Sequence, residues 1–101
     1  MTDPIIPKID TFLHEPARLR LLALLSVLER ADFMYLLRHS GISKGNLSVQ
    51  MTKLEEAGIV SADKNLVNNR PCTTFALTPQ GRKTLRQYKR TMGEVLRVLP
   101  D

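Results

Sequence analysis

The hydrophobic positions in the first third of the chain follow the period of an α-helix. Over residues 17–28, leucine, alanine and valine cover nearly the whole circumference of a helix, and Pro16 suits its first turn. A helix that is apolar all round must be buried on several sides, and a second chain could provide one of them. A short N-terminal helix or an ordered arm is also predicted over residues 7–13, from the spacing of Ile5, Ile9, Phe12 and Leu13.

Two further helices are predicted, separated by a short turn. Asp32 can cap the first, over residues 33–39, by accepting hydrogen bonds from free backbone N–H groups. Gly41 stands where a helix commonly ends, because glycine adopts the left-handed backbone conformation without strain. Ser43 can cap the second helix, which runs to about Ala57 and carries on one face Leu47, Met51 and Leu54.

The period then changes from helical to strand-like. Two short segments, residues 59–64 and 73–77, are rich in apolar and β-branched side chains, and a polar loop separates them. Two strands joined in this way form a β-hairpin. Thr78 and Pro79 then open a last long helix, as its cap and its first helical residue.

The order helix, helix, helix, hairpin, helix predicts a mainly α fold with a small β-hairpin, an α+β arrangement known as the winged helix-turn-helix. The chain, residues 1–101, is predicted to form one domain. We expect the helix-turn-helix at about residues 32–58, the wing at about 59–77 and a C-terminal dimerisation helix at about 79–99. The N- and C-terminal helices are predicted to mediate dimerisation.

Positive charge is concentrated around these motifs. The formal net charge is +5, and acidic residues are missing from two windows, residues 33–54 and 64–93. The basic residues within these windows are Arg38, Lys44, Lys53, Lys64, Arg70, Arg82, Lys83, Arg86, Lys89 and Arg90. Such a surface is typical of proteins that bind a polyanion, although charge alone fits a merely solubilising surface equally well.

The second helix of a DNA-binding helix-turn-helix enters the major groove. In this chain the second helix of the motif turns Leu47, Met51 and Leu54 inward, so its outward face carries amide, lysine and valine side chains. Asparagine and glutamine can pair with adenine, lysine can reach guanine or phosphate, and valine can meet a thymine methyl group. The free N–H groups at the helix start suit a phosphate. The predicted DNA contacts here are Ser43, Lys44, Gly45, Asn46, Val49, Gln50 and Lys53. The alternative is an ordinary solvated face, although such faces usually favour glutamate and lysine.

The hairpin supplies a second group of candidate DNA contacts, namely Lys64, Asn68, Asn69 and Arg70. Asparagine is a common turn former, so a purely structural role stays open for the two asparagines. The guanidinium of Arg70 suits phosphates or a narrow minor groove. Cys72 could sense redox state if Arg70 stabilised its thiolate, but most lone cysteines are inert.

The last helix carries a heptad seam, with apolar residues spaced three, four, three and four positions apart. These predicted dimer-interface residues are Leu85, Tyr88, Met92, Val95 and Leu99. The alternative is that the seam packs back onto its own domain.

Several short motifs together resemble the MarR/ArsR-type winged-helix regulators, and in particular their compact branch with little beyond the winged helix. The resemblance covers about residues 15–99 and rests on Gly45-Asn46-Leu47-Ser48, Leu54-Glu55-Glu56-Ala57-Gly58-Ile59-Val60, Arg70-Pro71, Thr73-Thr74-Phe75, Leu77-Thr78-Pro79 and Gly81-Arg82. It implies a dimeric, sequence-specific and usually prokaryotic repressor or activator that binds double-stranded DNA. The metal-sensing version is not supported, because no Cys-x-Cys or His-rich cluster is present. We expect no separate effector domain, and a small-molecule effector stays open.

Other classes of protein are disfavoured. The only histidines, His14 and His39, lie far apart, so neither a metal site nor any cofactor is predicted. No phosphate-binding loop, nucleophile elbow or carboxylate pair with a base indicates an enzyme. No apolar stretch is long enough to span a bilayer, no export signal is visible, and there is a single cysteine, so we expect a cytoplasmic protein without a membrane partner. The remaining alternative is a winged-helix module that binds another protein.

Overall fold

A computed structural model describes residues 6–101 and shows four helices and a three-stranded antiparallel sheet in that part of the chain. The predicted fold class, a winged helix-turn-helix that is mainly α with a small β component, is confirmed. The elements in chain order are α1 (Pro16–Val27), β1 (Ala31–Asp32), α2 (Phe33–Ser40), α3 (Lys44–Glu56), β2 (Val60–Val67), β3 (Arg70–Leu77) and α4 (Pro79–Val98).

The N-terminal segment is an arm with a single turn rather than a helix. Residues 6–10 have no regular structure, and residues 11–13 form a turn in which the Asp10 carboxylate accepts hydrogen bonds from two backbone N–H groups at 2.9 and 3.2 Å. The turn cannot continue into α1, because Glu15 has an extended backbone. Ile5, which contributed to the helical spacing, lies outside the described residues.

Glu15 marks the start of α1. Its carboxylate accepts hydrogen bonds from the backbone N–H groups of Arg18 and Ala17, at 2.9 and 3.1 Å. The bond from the Arg18 backbone is the main cause that lowers the pKa of Glu15. This cap satisfies N–H groups that have no partner within the helix, so it defines where α1 begins.

The core forms around one side of α1. Leu21, Leu22 and Leu25 are completely buried and belong to a cluster that extends through α2, α3 and the sheet. The opposite side is open, and Val27 is 80% exposed. Within one chain, therefore, α1 is not buried all round as its sequence suggests, because a small domain covers only one side of it.

The sheet contains a strand that the sequence pattern did not predict. The short β1 pairs with β3 through Ala31 opposite Phe75 and Asp32 opposite Thr74, which gives the strand order β1-β3-β2. Two residues are too few to show an alternating pattern. Asp32 also caps α2, as expected, since its carboxylate accepts from the backbone N–H of Tyr35 at 2.7 Å.

The hairpin strands are longer than the apolar pattern predicted. They pair continuously from Val60 opposite Leu77 to Val67 opposite Arg70, so the connecting loop contains only Asn68 and Asn69. Polar residues that suggested a loop are part of the strands. The reason is that the backbone hydrogen bonds of an antiparallel pair do not require apolar side chains.

The start of α4 is fixed against the end of α3 and the beginning of β2. The Thr78 hydroxyl donates to the Gly58 carbonyl oxygen at 2.7 Å and accepts from the backbone N–H of Gly81 at 2.9 Å. Gly81 is buried, and a Cβ atom there would overlap the carbonyl oxygen of Ile59. Only glycine permits this approach of helix to backbone.

We expect Gly81→Ala to lower the free energy of unfolding by about 1–3 kcal/mol, the usual cost of forcing atoms into a packed site. Gly93→Ala is the matched control on the same helix, because apart from its chain neighbours and the adjoining helix backbone no atom lies within 4 Å of the added Cβ. The control should raise stability by up to about 1 kcal/mol through helix propensity. Urea unfolding monitored by circular dichroism measures both, and equal stability of the two variants would contradict the close packing.

Candidate nucleic-acid interface

The start of α3 is exposed and rich in hydrogen-bond donors. Ser43 caps the helix by accepting from the backbone N–H of Asn46 at 3.2 Å. Ser43, Lys44, Gly45 and Asn46 are all exposed. Backbone N–H groups and a lysine at an open helix start form an environment that attracts a phosphate oxygen.

The outward face of α3 continues along the helix from this start. Asn46 and Lys53 are exposed, and Val49 is 49% exposed between them. The inward face is made of Leu47, Met51 and Leu54, all of which are buried. The helix therefore presents to solvent a row of three side chains, an asparagine, a valine and a lysine. Side chains of these types can read base edges and contact phosphates.

Gln50, a predicted DNA contact that the sequence places beside this exposed row, has its side chain turned away from solvent. Its side chain is only 7% exposed. Its Oε1 accepts a hydrogen bond from Arg18 Nε at 2.9 Å, and its Nε2 donates to Asn46 Oδ1 at 3.2 Å. Helical geometry places Gln50 beside the outward face, but a partner on another helix turns its side chain inward.

Arg18 is the residue that sequence analysis missed. Although charged, it is only 8% exposed beneath α3. Its Nη1 donates to the carbonyl oxygen of Phe12 at 2.6 Å, and its guanidinium carbon lies 4.2 Å from the centre of the Phe12 ring. The sequence did contain a signal for this role, namely an arginine inside an apolar helix. A cation that is buried with such a helix requires hydrogen-bond partners from other elements.

The wing lies beside α3. A groove of about 200 Å³ between the two is lined in part by Ser48, Thr52 and Lys64. Asn68 and Asn69 have φ values of 52° and 62°, the left-handed conformation that a two-residue hairpin turn requires. This geometry accounts for the two asparagines by turn formation, and their DNA contacts stay predictions.

The basic side chains of the wing are free to meet a ligand. Lys64 and Arg70 are both exposed, with Arg70 directly after the turn. Cys72 is half-buried and pairs in register with Asn65. Redox sensing by this thiol stays a prediction.

Residues 17–96 match the family described as winged helix DNA-binding domain. The chain belongs to this family. The match spans α1 through most of α4, and it confirms the prediction of a DNA-binding regulator rather than an enzyme.

Individual proteins are similar to this chain in sequence or in structure. An uncharacterised protein of Methanocaldococcus jannaschii is 37% identical over 71 residues, which are 70% of this chain and 77% of that protein. A transcriptional regulator homologue from Pyrococcus horikoshii has a similar structure, with a TM-score of 0.78, 24% identity and 85% of each chain covered. AbsC, a MarR family transcriptional regulator from Streptomyces coelicolor, has a TM-score of 0.69 at 28% identity, covering 86% of this chain and 60% of its own.

The heptad seam on α4 of this winged-helix protein lies partly against the core of its own chain and partly in solvent. Tyr88 is buried in the core of its own chain, and its hydroxyl lies 2.6 Å from Nδ1 of His14. Its place in a dimer interface stays a prediction. Leu85 and Met92 are half-buried and pack against the same core. Val95 is half-buried, and Leu99 is 62% exposed. The alternative packing onto the domain therefore holds for the first half of the seam.

Across residues 6–101, no three His, Cys, Asp or Glu side chains come together as metal ligands. None of the helices in that part of the chain is both long and apolar enough to cross a membrane.

We expect Gln50→Ala to lower the free energy of unfolding by about 1–3 kcal/mol, because the buried Arg18 Nε loses its acceptor. Ser48→Ala is the matched control on the same helix, and its exposed side chain should change stability by less than about 0.5 kcal/mol. Thermal and urea unfolding measure both differences. If Gln50→Ala is as stable as the wild type, the buried hydrogen bond does not hold α3 against α1.

Proposed function

We propose that this protein is a sequence-specific regulator of transcription that binds double-stranded DNA as a homodimer. In this proposal α3 enters the major groove, and the wing contacts the adjacent backbone or minor groove. The observation that carries it is the row of exposed side chains on α3, which a basic wing adjoins. A protein-binding module is less consistent with this surface, because Val49 is the one exposed large apolar residue within α3.

Each part of the surface suits a different part of DNA. The capped start of α3, with Ser43, Lys44 and Gly45, suits a phosphate and would set the depth of the helix in the groove. Asn46, Val49 and Lys53 would then face base edges. Lys64 and Arg70, with the turn asparagines Asn68 and Asn69 between them, would follow the backbone or the minor groove beside it.

The end of α4 supports the homodimer. Leu96 and Leu99 are 56% and 62% exposed, and Val95 lies beside them on the helix. The molecule is elongated, with extents of 66 × 25 × 21 Å. A second copy of α4, packed through this surface and the half-buried Leu85 and Met92, would remove apolar area from water. A two-fold dimer would place two α3 helices about one helical turn apart, so the DNA site would be a pseudo-palindrome.

The dimer is tested with Leu96→Glu combined with Leu99→Glu, at positions that pack little against their own chain. Light scattering should give the wild type twice the chain mass of 11.4 kDa, and the double variant one chain mass. Leu66→Glu, at an apolar position of the wing strand β2 that is 70% exposed, is the control and should stay dimeric. A wild type that is monomeric at micromolar concentration would overturn this part of the proposal.

DNA binding is tested by the salt dependence of affinity for a duplex selected from a random pool. With about 6–10 phosphate contacts per dimer, affinity should fall about a thousandfold or more between 50 and 200 mM salt. Arg70→Ala should weaken selected and random duplexes by similar factors and reduce the salt slope by about one for each arginine removed. Arg97→Ala, which removes the same charge near the end of α4, should leave the slope unchanged. Flat salt dependence would favour a protein partner.

A further inference from the structure

We infer that Asn46 reads the acceptor edge of a guanine as a hydrogen-bond donor, and that Arg18, acting through Gln50, holds it in this orientation. The inference rests on the proposed entry of α3 into the major groove. It differs from the sequence-based expectation, in which asparagine pairs with adenine through both its oxygen and its nitrogen.

The direction of the hydrogen bonds follows from the chemistry of arginine. A guanidinium has only donors, so Arg18 Nε can bond to Gln50 only through the amide oxygen of Gln50. The nitrogen of the same amide is then a donor on the other side. It lies 3.2 Å from Asn46 Oδ1, which must accept. One arginine thus sets the orientation of two amides in succession.

Arg18 itself has little freedom to reorient. Nη1 is bonded to the carbonyl oxygen of Phe12 at 2.6 Å, and the guanidinium stacks on the Phe12 ring at 4.2 Å. Moving it would leave buried donors without partners, which is costly in a low-dielectric interior. The orientation of Asn46 is therefore anchored in the core of the domain rather than at its surface.

The fixed orientation of Asn46 decides which of its amide atoms faces solvent. Its Oδ1 is turned toward Gln50, one helical turn along α3, so its Nδ2 is the atom left to face the groove. Guanine presents two acceptors in the major groove, O6 and N7, which suit the two hydrogens of Nδ2. Adenine pairing needs the asparagine oxygen at the base edge as well. Thymine presents one acceptor, O4, instead of two, and cytosine presents a donor. Guanine is therefore the base that this orientation favours.

The first experiment uses the wild-type chain. Sequences are selected from a random pool, and the position that loses its preference in Asn46→Ala is identified. That position should be guanine, and replacing it by 7-deazaguanine should weaken wild-type binding about tenfold while leaving Asn46→Ala binding unchanged. No enriched sequence at all would overturn the proposed DNA reading. An enriched site in which this position is adenine, thymine or cytosine would overturn only the guanine reading by Asn46.

The second experiment reverses the hydrogen bonds. In Gln50→Glu the carboxylate still accepts from Arg18 but can no longer donate to Asn46. Asn46 should then turn its nitrogen toward residue 50 and its oxygen toward the groove. The base preference should change from guanine to a base with a donor there, adenine or cytosine, by about tenfold. Retention of the guanine preference by the folded variant would contradict the inference, and circular dichroism checks the fold.

Thr52→Glu is the control for added negative charge. It lies six residues from Asn46 on the same helix and is exposed. That separation is about 9 Å along the helix axis, more than two base-pair steps. The control should lower affinity for all duplexes while leaving guanine preferred at the Asn46 position. If Thr52→Glu shifts that preference as Gln50→Glu does, charge rather than orientation causes the shift, and the inference fails.

Discussion

The side of α1 that carries Leu21, Leu22 and Leu25 is completely covered, and the positions of the other elements depend on this burial. Each such leucine stabilises the fold by about 1.5–3 kcal/mol relative to an exposed one. The covering elements include α2 and β3, which contact α1 directly. Because the inward leucines of α3 belong to the same core, the opposite face of α3 is left in solvent. The exposed reading surface is thus a consequence of how α1 is buried.

The same helix also carries the one buried cation of the described core, Arg18. A buried arginine is a weak source of stability, because charges are expensive to remove from water. The arginine instead fixes the orientation of neighbouring amide groups. Its donors orient Gln50, which orients Asn46, so a polar connection runs from the N-terminal arm through the core to the exposed start of α3. Hydrogen bonds in such a network strengthen one another and permit one arrangement of amides rather than several.

The long α4 helix divides between two tasks. Its first half completes the domain, with Gly81 against the backbone of Ile59 and Tyr88 in the core. Its second half extends away with apolar side chains in solvent, including Leu96 and Leu99. Such exposure is costly for an isolated chain, and a second copy of the helix would relieve it. In the proposed dimer, the helix that completes one domain would also fix the distance between two reading helices.

The sequence by itself determined the winged helix-turn-helix, because the helical period, the caps at Asp32, Ser43 and Thr78, and the change to strand-like residues are all local signals. It also determined which side of α3 is apolar. It could not determine β1, whose two residues are held by pairing with β3. Nor could it show that Gln50 turns inward, since helical geometry left that residue at the border of the exposed face. Only the tertiary structure decided this, by bringing Arg18, 32 positions away in the chain, within hydrogen-bond distance of Gln50.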